Sequence, residues 1–364
     1  MSSSIGVNVT SKVFRLNQPG EISEISIERE VNVGEVVVEP EITSICHADL
    51  RYFTGQRRPE ALAKKLPMAL LHEGIGHVIE SRADHLQVGQ RVVIVPNLPG
   101  YVTRRIPKEE CCEVCRAGIG ENYCLNGGFL ASGIDGMAQS RLVVPHENVI
   151  LIPDNIPDEI AVLAELCSVS HQALEIVSDK LANGSAVVFG DGPVGYMTAA
   201  MVHHCFGLNK DRLTVFGAIE EKLANFDFAT REMVQTFNFE QAERVDVAIE
   251  CTGGKFSESA INQAIDMLAP GGHLILMGVT EERVPMNTRD ILEKGITVHG
   301  SSRSTSHDFR QVIRAMESPE YQKTLRKIVP QSYEKVSTAD QLAKVMESAA
   351  AHRSWEETII EFQW

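Results

Sequence analysis

The sequence Gly190-Asp-Gly-Pro-Val-Gly195 constrains the fold of this chain more than any other stretch, because it lies between a predicted strand and a predicted helix. The apolar run Ala186-Val-Val-Phe189 precedes it, and a helical pattern covers Val194 to Phe206. In that setting, glycines permit a tight turn, close approach of the backbone to a pyrophosphate, and close packing of helix on strand. The motif therefore predicts dinucleotide binding rather than a plain structural turn, with three cofactor-binding candidates: Gly190, Gly192 and Gly195.

The sequence pattern changes near residue 170 and divides the chain into two parts. Before it, short β-branched runs such as Glu35 to Glu39 and Arg91 to Val95 are punctuated by Gly and Pro, which indicates a β-rich domain. After it, strands alternate with helices such as Ser257 to Leu268, which is typical of a doubly wound parallel sheet. The later strands are predicted at Leu213 to Phe216, Val245 to Glu250, His273 to Met277 and Ile296 to His299.

Size and charge limit the classes of function. A chain of 364 residues is long enough for about two domains with separate cores. The net charge of −15 argues against a nucleic-acid or acidic-membrane partner. The opening residues, 1–6, have no secretion-signal pattern, and no apolar run reaches the roughly 20 residues that span a bilayer. We therefore expect a cytoplasmic protein whose eight cysteines are reduced or bind metal.

The end of the second strand of the parallel sheet bears on the choice of dinucleotide. NAD-selective sites normally place Asp or Glu there to bind the ribose hydroxyls. In this chain Gly217 leaves that place without a carboxylate, and Lys222 follows closely enough to approach a 2′-phosphate. Glu220 and Glu221 argue the other way, since either would repel that phosphate if it turned inward. The pattern favours NADP(H) over NAD(H).

Three separate pieces of sequence carry potential metal ligands. Cys46 offers a thiolate, His72 and Glu73 offer an imidazole and a carboxylate, and Glu165 offers a second carboxylate. A mixed set of this kind suits a catalytic Zn²⁺ that keeps one position open for water or substrate. Each residue alone has an ordinary structural interpretation, so the prediction depends on whether the pieces converge.

Several motifs together resemble the zinc-dependent medium-chain dehydrogenases. They are Cys46-x-x-Asp49, His72-Glu73-x-x-Gly-x-Val78, Gly89-Gln-Arg-Val92, the glycine-rich loop and Glu250-Cys-Thr-Gly-Gly254. The resemblance implies a GroES-like catalytic domain over 1–167, completed by 304–364, and a Rossmann domain over 168–303. It also implies that Asp49 orients the ligand His72, that the protein is a homodimer, and that Val194, Cys251 and Gly278 join the cofactor-binding residues.

Longer blocks resemble one branch of that family, the ribulose-5-phosphate reductases, also called ribitol-5-phosphate 2-dehydrogenases. Examples are Cys46 to Gly55, Leu66 to Glu73, Ser132 to Gly136 and Leu292 to Ser304. The resemblance implies reduction of D-ribulose 5-phosphate to D-ribitol 5-phosphate with zinc and NADPH, feeding CDP-ribitol for teichoic-acid-type or capsular polymers. Two alternatives remain: a zinc dehydrogenase of another polyol, of the arabinitol, xylitol or sorbitol type, and a nucleotide-binding redox sensor without catalytic activity.

Two positions depart from the wider family. Many of its alcohol dehydrogenases begin a proton relay with Ser or Thr two residues after the first zinc ligand, where this chain has Ala48. The relay is then expected to use Glu165 with a zinc-bound water, or Tyr52, although a packed aromatic remains the simpler interpretation of Tyr52. The second departure is a cysteine-rich lobe that approximates a structural zinc motif, with either Glu109 or Cys111 as fourth ligand beside Cys112, Cys115 and Cys124. An empty thiol-rich loop is the alternative.

A phosphorylated ketose also requires a cation near the metal. Arg51 lies five residues after Cys46, within the matched block. The forked donors of Arg suit phosphate oxygens, so Arg51 is the candidate phosphate ligand. Arg57, Arg58 and Lys65 follow it in sequence.

Overall fold

The computed structural model describes residues 7–352 and 355–364; the opening residues that entered the cytoplasmic prediction lie outside this part. The described chain forms these strands: β1 (Val7–Gln18), β2 (Glu21–Val31), β3 (Glu35–Ser44), β4 (Met68–Ala69), β5 (Glu73–Ser81), β6 (Arg91–Ile94), β7 (Asn97–Leu98), β8 (Gly128–Phe129), β9 (Leu142–Pro145), β10 (Val149–Leu151), β11 (Ala186–Phe189), β12 (Leu213–Gly217), β13 (Thr230–Met233), β14 (Val245–Glu250), β15 (Leu268–Leu276), β16 (Thr297–Gly300), β17 (Glu334–Val336) and β18 (Ile359–Phe362).

The α-helices connect and flank these strands. They are α1 (His47–Phe53), α2 (Pro59–Lys65), α3 (Gly100–Arg104), α4 (Glu113–Arg116), α5 (Asp158–Ala161), α6 (Ala164–Glu175), α7 (Ser178–Asn183), α8 (Pro193–His204), α9 (Glu220–Leu223), α10 (Ser257–Met267), α11 (Thr288–Lys294), α12 (Ser306–Met316), α13 (Pro319–Leu325) and α14 (Ala339–Ala351). Within the described ranges, none of them combines the length and apolarity needed to cross a membrane.

The chain divides into two compact units. The first contains the chain up to Glu165, Thr305–Glu317 and everything from Val329 onward, and the second contains Leu166–Ser304 and Ser318–Ile328. The boundaries differ from those predicted chiefly in the segment Ser318–Ile328. Tyr321 in this segment is fully buried, and its hydroxyl lies 3.5 Å from Sγ of Cys167, which explains why the segment packs with the second unit.

The first unit is built mainly on antiparallel strands, although β17 and β18 pair in parallel. Its larger sheet has the order β10-β6-β5-β3-β18-β17, with β9 also paired to β3, and a second sheet has the order β2-β1-β4. Val36, Val37 and Val38 of β3 are all buried: Val36 and Val38 belong to the main core, and Val37 belongs to a smaller cluster with Val9 and Val31. Gly76 lets β3 and β5 approach closely, since a Cβ there would lie 2.0 Å from the carbonyl oxygen of Glu39.

The second unit contains a six-stranded parallel sheet of order β13-β12-β11-β14-β15-β16. This arrangement confirms the predicted doubly wound fold. The predicted strands are present because strands buried on both faces read as continuous apolar runs, as in β11, where all four residues are buried. The edge strand β13 was missed, since its sequence, Thr-Arg-Glu-Met, is polar and partly exposed.

Candidate active site

Cys46, His72 and Glu73 come together in the first unit. Cys46 directly precedes α1, and Glu73 begins β5, where it pairs with Ser44 of the neighbouring strand β3. One potential ligand atom from each of the three residues lies within 4.8 Å of the others. His72 is 6 % exposed and Glu73 is fully buried, so the group is largely removed from water. Two of the three pieces predicted from sequence, Cys46 and His72-Glu73, therefore come together in this group, whereas Glu165 is not part of it.

Asp49 lies beside His72 and also binds the backbone of the residue before it. Its Oδ2 lies 3.4 Å from Nδ1 of His72, and its Oδ1 accepts a 3.0 Å hydrogen bond from the backbone N–H of Leu71. Leu71 has a φ of 72°, a conformation that costs a non-glycine residue roughly 1–2 kcal/mol. A second hydrogen bond, from the N–H of Met137 to the Leu71 carbonyl, also holds this backbone. Asp49 thus holds the strained residue before His72 by a hydrogen bond and lies at ion-pair distance from the imidazole.

Glu73 is held through one of its two oxygens. Oε2 accepts a 2.5 Å hydrogen bond from the hydroxyl of Ser44, whereas Oε1 is buried and accepts no hydrogen bond among the described residues. Oε1 lies 3.9 Å from Nε2 of His72. A buried acceptor without a donor is costly, and a cation held by Glu73 and His72 would offset that cost.

Two further carboxyl groups face the same centre. Burial and the neighbouring Glu73 carboxylate raise the pKa of Glu165 to about 8. The same two causes raise the pKa of Glu357 to about 8. Glu357 was not predicted, but it lies near because β18 pairs with β3, with Ile359 opposite Ser44 and the Thr358 carbonyl bonded to the N–H of Ile45.

The electrostatics of this centre suit a divalent cation. Burial, followed by the charge of Glu73, raises the pKa of the Cys46 thiol. Burial also raises the pKa of Glu73, and although burial opposes the charged form of His72, Asp49 outweighs it and raises the His72 pKa. A bound cation reverses the effect on Cys46 and Glu73, because it stabilises thiolate and carboxylate. The thiol, imidazole and carboxylate donors therefore fit zinc.

A cationic cluster surrounds Tyr52 on the helix that follows Cys46. The Tyr52 hydroxyl lies 3.4 Å from the Ser132 hydroxyl, which accepts a 2.6 Å hydrogen bond from Nζ of Lys65. The guanidinium of Arg57 stands 4.7 Å from the Tyr52 ring centre. Burial opposes ionisation of Tyr52, but the hydrogen bonds of Lys65 and Ser132 and the charges of Lys65 and Arg57 outweigh it and lower its pKa. Arg51 is half-buried on the same helix.

The cysteine lobe forms a second cluster of ligands. The described thiols within 4.8 Å of one another are Cys111, Cys112, Cys115 and Cys124. Their Sγ atoms are 3.4 Å apart between Cys112 and Cys115 and 3.7 Å apart between Cys111 and Cys124. Four sulfurs around one zinc, with bonds of about 2.3 Å, would be separated by roughly 3.8 Å. Of the two predicted fourth ligands, the structure brings Cys111 into the group and leaves Glu109 exposed.

The glycine-rich loop lies between β11 and α8, as predicted. A Cβ at Gly195 would lie 2.1 Å from the Gly190 carbonyl oxygen, so glycine is needed where the helix packs on the turn. A Cβ at Gly192 would meet nothing within 4 Å, and Val194 is half-buried in the first turn of α8. The open approach at Gly192, beside the amino end of a helix, suits a pyrophosphate.

Cys251 and Gly278 also lie at this edge of the parallel sheet. A Cβ at Gly190 would be 3.3 Å from Cys251, which places Cys251 beside the loop. The buried carboxylate of Glu250 accepts hydrogen bonds from the N–H groups of Gly253, at 3.1 Å, and Gly278, at 3.1 Å. Glu250 therefore ties the ends of β14 and β15 together, a role that its place in a motif did not reveal.

Neighbouring side chains fill the place beside Gly217, where the sequence predicted no carboxylate. A Cβ at Gly217 would lie 2.7 Å from Cβ of Asp191 and 2.8 Å from the Leu223 side chain, so these two residues fill the place. The Asp191 carboxylate accepts hydrogen bonds from the N–H groups of Ala218, at 2.7 Å, and Ile219, at 2.8 Å. Lys222 is half-buried on α9, one turn further along the chain.

Comparison with known proteins shows the family of this chain. Residues 32–154 match the family model of the alcohol dehydrogenase GroES-like domain, and residues 210–318 match that of the zinc-binding dehydrogenases. The structure superimposes on that of Staphylococcus aureus TarJ in complex with NADPH with a TM-score of 0.80 at 30 % identity, over 98 % of this chain and all of the other. The chain belongs to the zinc-dependent medium-chain dehydrogenases.

Sequence comparison shows to which branch of the zinc-dependent medium-chain dehydrogenases the chain belongs. Ribulose-5-phosphate reductase 1 of S. aureus is 34 % identical over 355 residues, covering 97 % of this chain and 99 % of that protein. The ribulose-5-phosphate reductase of Bacillus spizizenii is 34 % identical over 357 residues, with the same coverage. This chain is a member of the ribulose-5-phosphate reductase family.

Proposed function

We propose that the protein reduces D-ribulose 5-phosphate to D-ribitol 5-phosphate with zinc and NADPH. The observation that carries this proposal is the near-complete coverage of the reductases at 34 % identity, combined with the converged Cys46, His72 and Glu73. The product would supply CDP-ribitol for teichoic-acid-type or capsular polymers.

The chain's own residues provide the metal site. Cys46, His72 and Glu73 would bind zinc, Asp49 orients the imidazole, and Ser44 holds the second oxygen of Glu73 away from the metal-facing side. When bound, zinc polarises the ketone and NADPH supplies the hydride. Glu165 stays outside the group of mutually close ligand atoms, so Glu73 is the proposed third ligand at rest.

The new alcohol needs a proton that Ala48 cannot supply. Glu165 is the proposed carrier, because burial raises the pKa of its carboxyl group and so favours a proton at an Oε atom. The surroundings of Glu165, rather than a chain of hydroxyl groups, would then control the transfer of a proton to the new alcohol. Glu357 lies close enough to Glu73 to influence the same centre.

The substrate phosphate is proposed to bind at the cations around Tyr52. Hydrogen bonds from Lys65 and Ser132, followed by the charges of Lys65 and Arg57, lower the pKa of the Tyr52 hydroxyl, and the two cations would also attract a phosphate dianion. Arg51, on α1 with Tyr52, remains the proposed forked ligand. We propose a phosphorylated ketose as substrate on this basis.

Three other features are proposed on separate grounds. The four clustered thiols would bind a structural zinc, since they close a tetrahedral set. A homodimer would form through the edge of the parallel sheet, where Val298 of β16 is 38 % exposed. The described cysteines form no disulfide with one another, and a cytoplasmic location is proposed because its reducing environment keeps thiols reduced.

A polyol dehydrogenase is the alternative with direct support. The sorbitol dehydrogenase of Bacillus subtilis is 30 % identical over 296 residues and covers 76 % of this chain. It would use an unphosphorylated polyol and would not require the cations around Tyr52.

Initial rates of NADPH and NADH oxidation with ribulose 5-phosphate, ribulose and xylulose 5-phosphate would separate these functions. Product identification by mass spectrometry would accompany them, and sorbitol and xylitol oxidation would be assayed in reverse. We expect turnover with ribulose 5-phosphate and NADPH to be fastest. Faster turnover of an unphosphorylated sugar or polyol would overturn the proposal in favour of the alternative.

A further inference from the structure

Asp191 lies inside the glycine-rich loop, at a position that dinucleotide binding itself does not explain. Its Oδ2 accepts hydrogen bonds from two consecutive backbone N–H groups, 2.7 Å from Ala218 and 2.8 Å from Ile219. These groups directly follow the second strand of the parallel sheet, β12. In a Rossmann fold, the end of this strand is where the adenosine ribose and its 2′ substituent are recognised.

Glycine at 217 makes this arrangement possible. A Cβ there would lie 2.7 Å from Cβ of Asp191, so any larger residue would push the carboxylate out of its place. The chain therefore has a carboxylate at the end of the second strand after all, supplied by the loop after the first strand. A carboxylate at this place accepts ribose hydroxyls and repels a 2′-phosphate.

Asp191 also occupies the donors that a phosphate would use. Backbone N–H groups are common phosphate ligands, and those of Ala218 and Ile219 already donate to the Asp191 carboxylate. A 2′-phosphate would therefore have to displace the carboxylate and overcome its charge. A 2′-hydroxyl would do neither.

We propose that Asp191 helps to determine cofactor specificity. Its carboxylate opposes binding of the 2′-phosphate, and so makes the preference for NADPH over NADH smaller than the other contacts of the site would give. The proposal rests on the proposed function only in taking NADPH as the cofactor. It assigns the discrimination to a residue of the glycine-rich loop rather than to the second strand.

Equilibrium binding would test this without turnover. Dissociation constants for NADPH, NADH, ADP-ribose and 2′-phospho-ADP-ribose would be measured by calorimetry for the unsubstituted protein, Asp191→Asn and Asp191→Ser. Asp246→Asn is the matched control, because Asp246 accepts the N–H of Ser185 at 2.8 Å, at the other end of the strands. Both Asp191 variants should increase the preference for the 2′-phosphorylated ligand by on the order of ten-fold, and the control should leave it unchanged.

The other outcomes would each overturn the proposal. Equal weakening of all four ligands would show that Asp191 merely supports the loop. Selective loss of the 2′-phosphorylated ligands would show that it helps to bind the phosphate. An unchanged preference, with normal affinities, would exclude any role in specificity while leaving the proposed reductase function intact, whereas absence of all binding by the unsubstituted protein would overturn both.

Discussion

Oδ2 of Asp49 lies 3.4 Å from Nδ1 of His72, and both side chains are buried. A carboxylate at this distance fixes which imidazole nitrogen faces the metal. Because Asp49 also binds the N–H of Leu71, it controls the backbone just before the ligand as well as the ligand itself.

Asp49→Asn should weaken zinc binding by about 10–100-fold, since support of this kind typically contributes that much to metal affinity. Competition with a chromophoric chelator would measure the change. Glu41→Gln is the matched control, because Glu41 lies 2.8 Å from His77 in a partly exposed pair of the same chemistry. Equal zinc affinity in Asp49→Asn and unsubstituted protein would contradict the proposed support.

Substitutions of Glu73 and Glu165 should have different effects on zinc binding and on turnover. Glu73→Gln removes a proposed ligand and should lower zinc affinity at the Cys46 site by more than ten-fold, whereas Glu165→Gln should retain the metal and lower kcat by about 10²-fold. Zinc content by mass spectrometry, combined with steady-state rates, would distinguish the two. Equal zinc loss in both variants would mean that the two carboxylates share the metal.

Cys111, rather than Glu109, should complete the second metal site. Cys111→Ser should reduce the zinc content from about two ions per chain to about one, because a structural site needs four ligands. Glu109→Gln should leave the content unchanged, since Glu109 is exposed and outside the thiol cluster. The idea fails if purified unsubstituted protein, loaded with zinc, holds only the ion at Cys46.

The substrate phosphate should depend on Arg51 and Lys65. Arg51→Ala and Lys65→Met should each raise KM for ribulose 5-phosphate by about 10–100-fold, the range expected for losing a hydrogen bond between charged groups. The KM for unphosphorylated ribulose should stay the same. Arg58→Ala is the control, because Arg58 is exposed and precedes α2. Equal effects on both ketoses would place the phosphate elsewhere.

Asp135 should make stability depend on acid pH. Burial opposes its ionisation, but hydrogen bonds from Arg15 and the Ala69 N–H, with the charges of Arg15 and Arg29, outweigh burial and lower its pKa. A lowered pKa in the folded state gives stability that is present above the unfolded value of about 3.9 and is lost as pH falls through the folded value.

Asp135→Asn should therefore destabilise the first unit by about 3 kcal/mol near pH 7, because it leaves two arginines without their buried partner. The difference from unsubstituted protein should shrink below about pH 4. Thermal unfolding across this pH range would measure it. If the difference in stability between the two proteins stayed constant down to the lowest pH measured, the electrostatic explanation would be excluded.

The sequence predicted the parallel sheet well, because β11 and β14 carry apolar residues that few other structures can bury. Short motifs around Cys46 and His72 indicated candidate metal ligands that the structure brings close together. The sequence could not predict Glu357, whose place depends on β18 pairing with β3 across more than 300 residues of chain. It also did not predict which side chain fills the place beside Gly217, because that side chain comes from Asp191, in a different loop.

The segment Ser318–Ile328 gives the protein an interleaved chain: the polypeptide passes from one unit to the other after Glu165, Ser304, Glu317 and Ile328. A continuous insert from Leu166 to Ser304 would therefore lack part of its own interior, including the buried Tyr321. Anyone exchanging cofactor-binding units between relatives would need two pieces of chain rather than one. Single-crossover chimaeras joined at Ser304 would pair a foreign helix with Cys167, and recombination between relatives would be constrained in the same way.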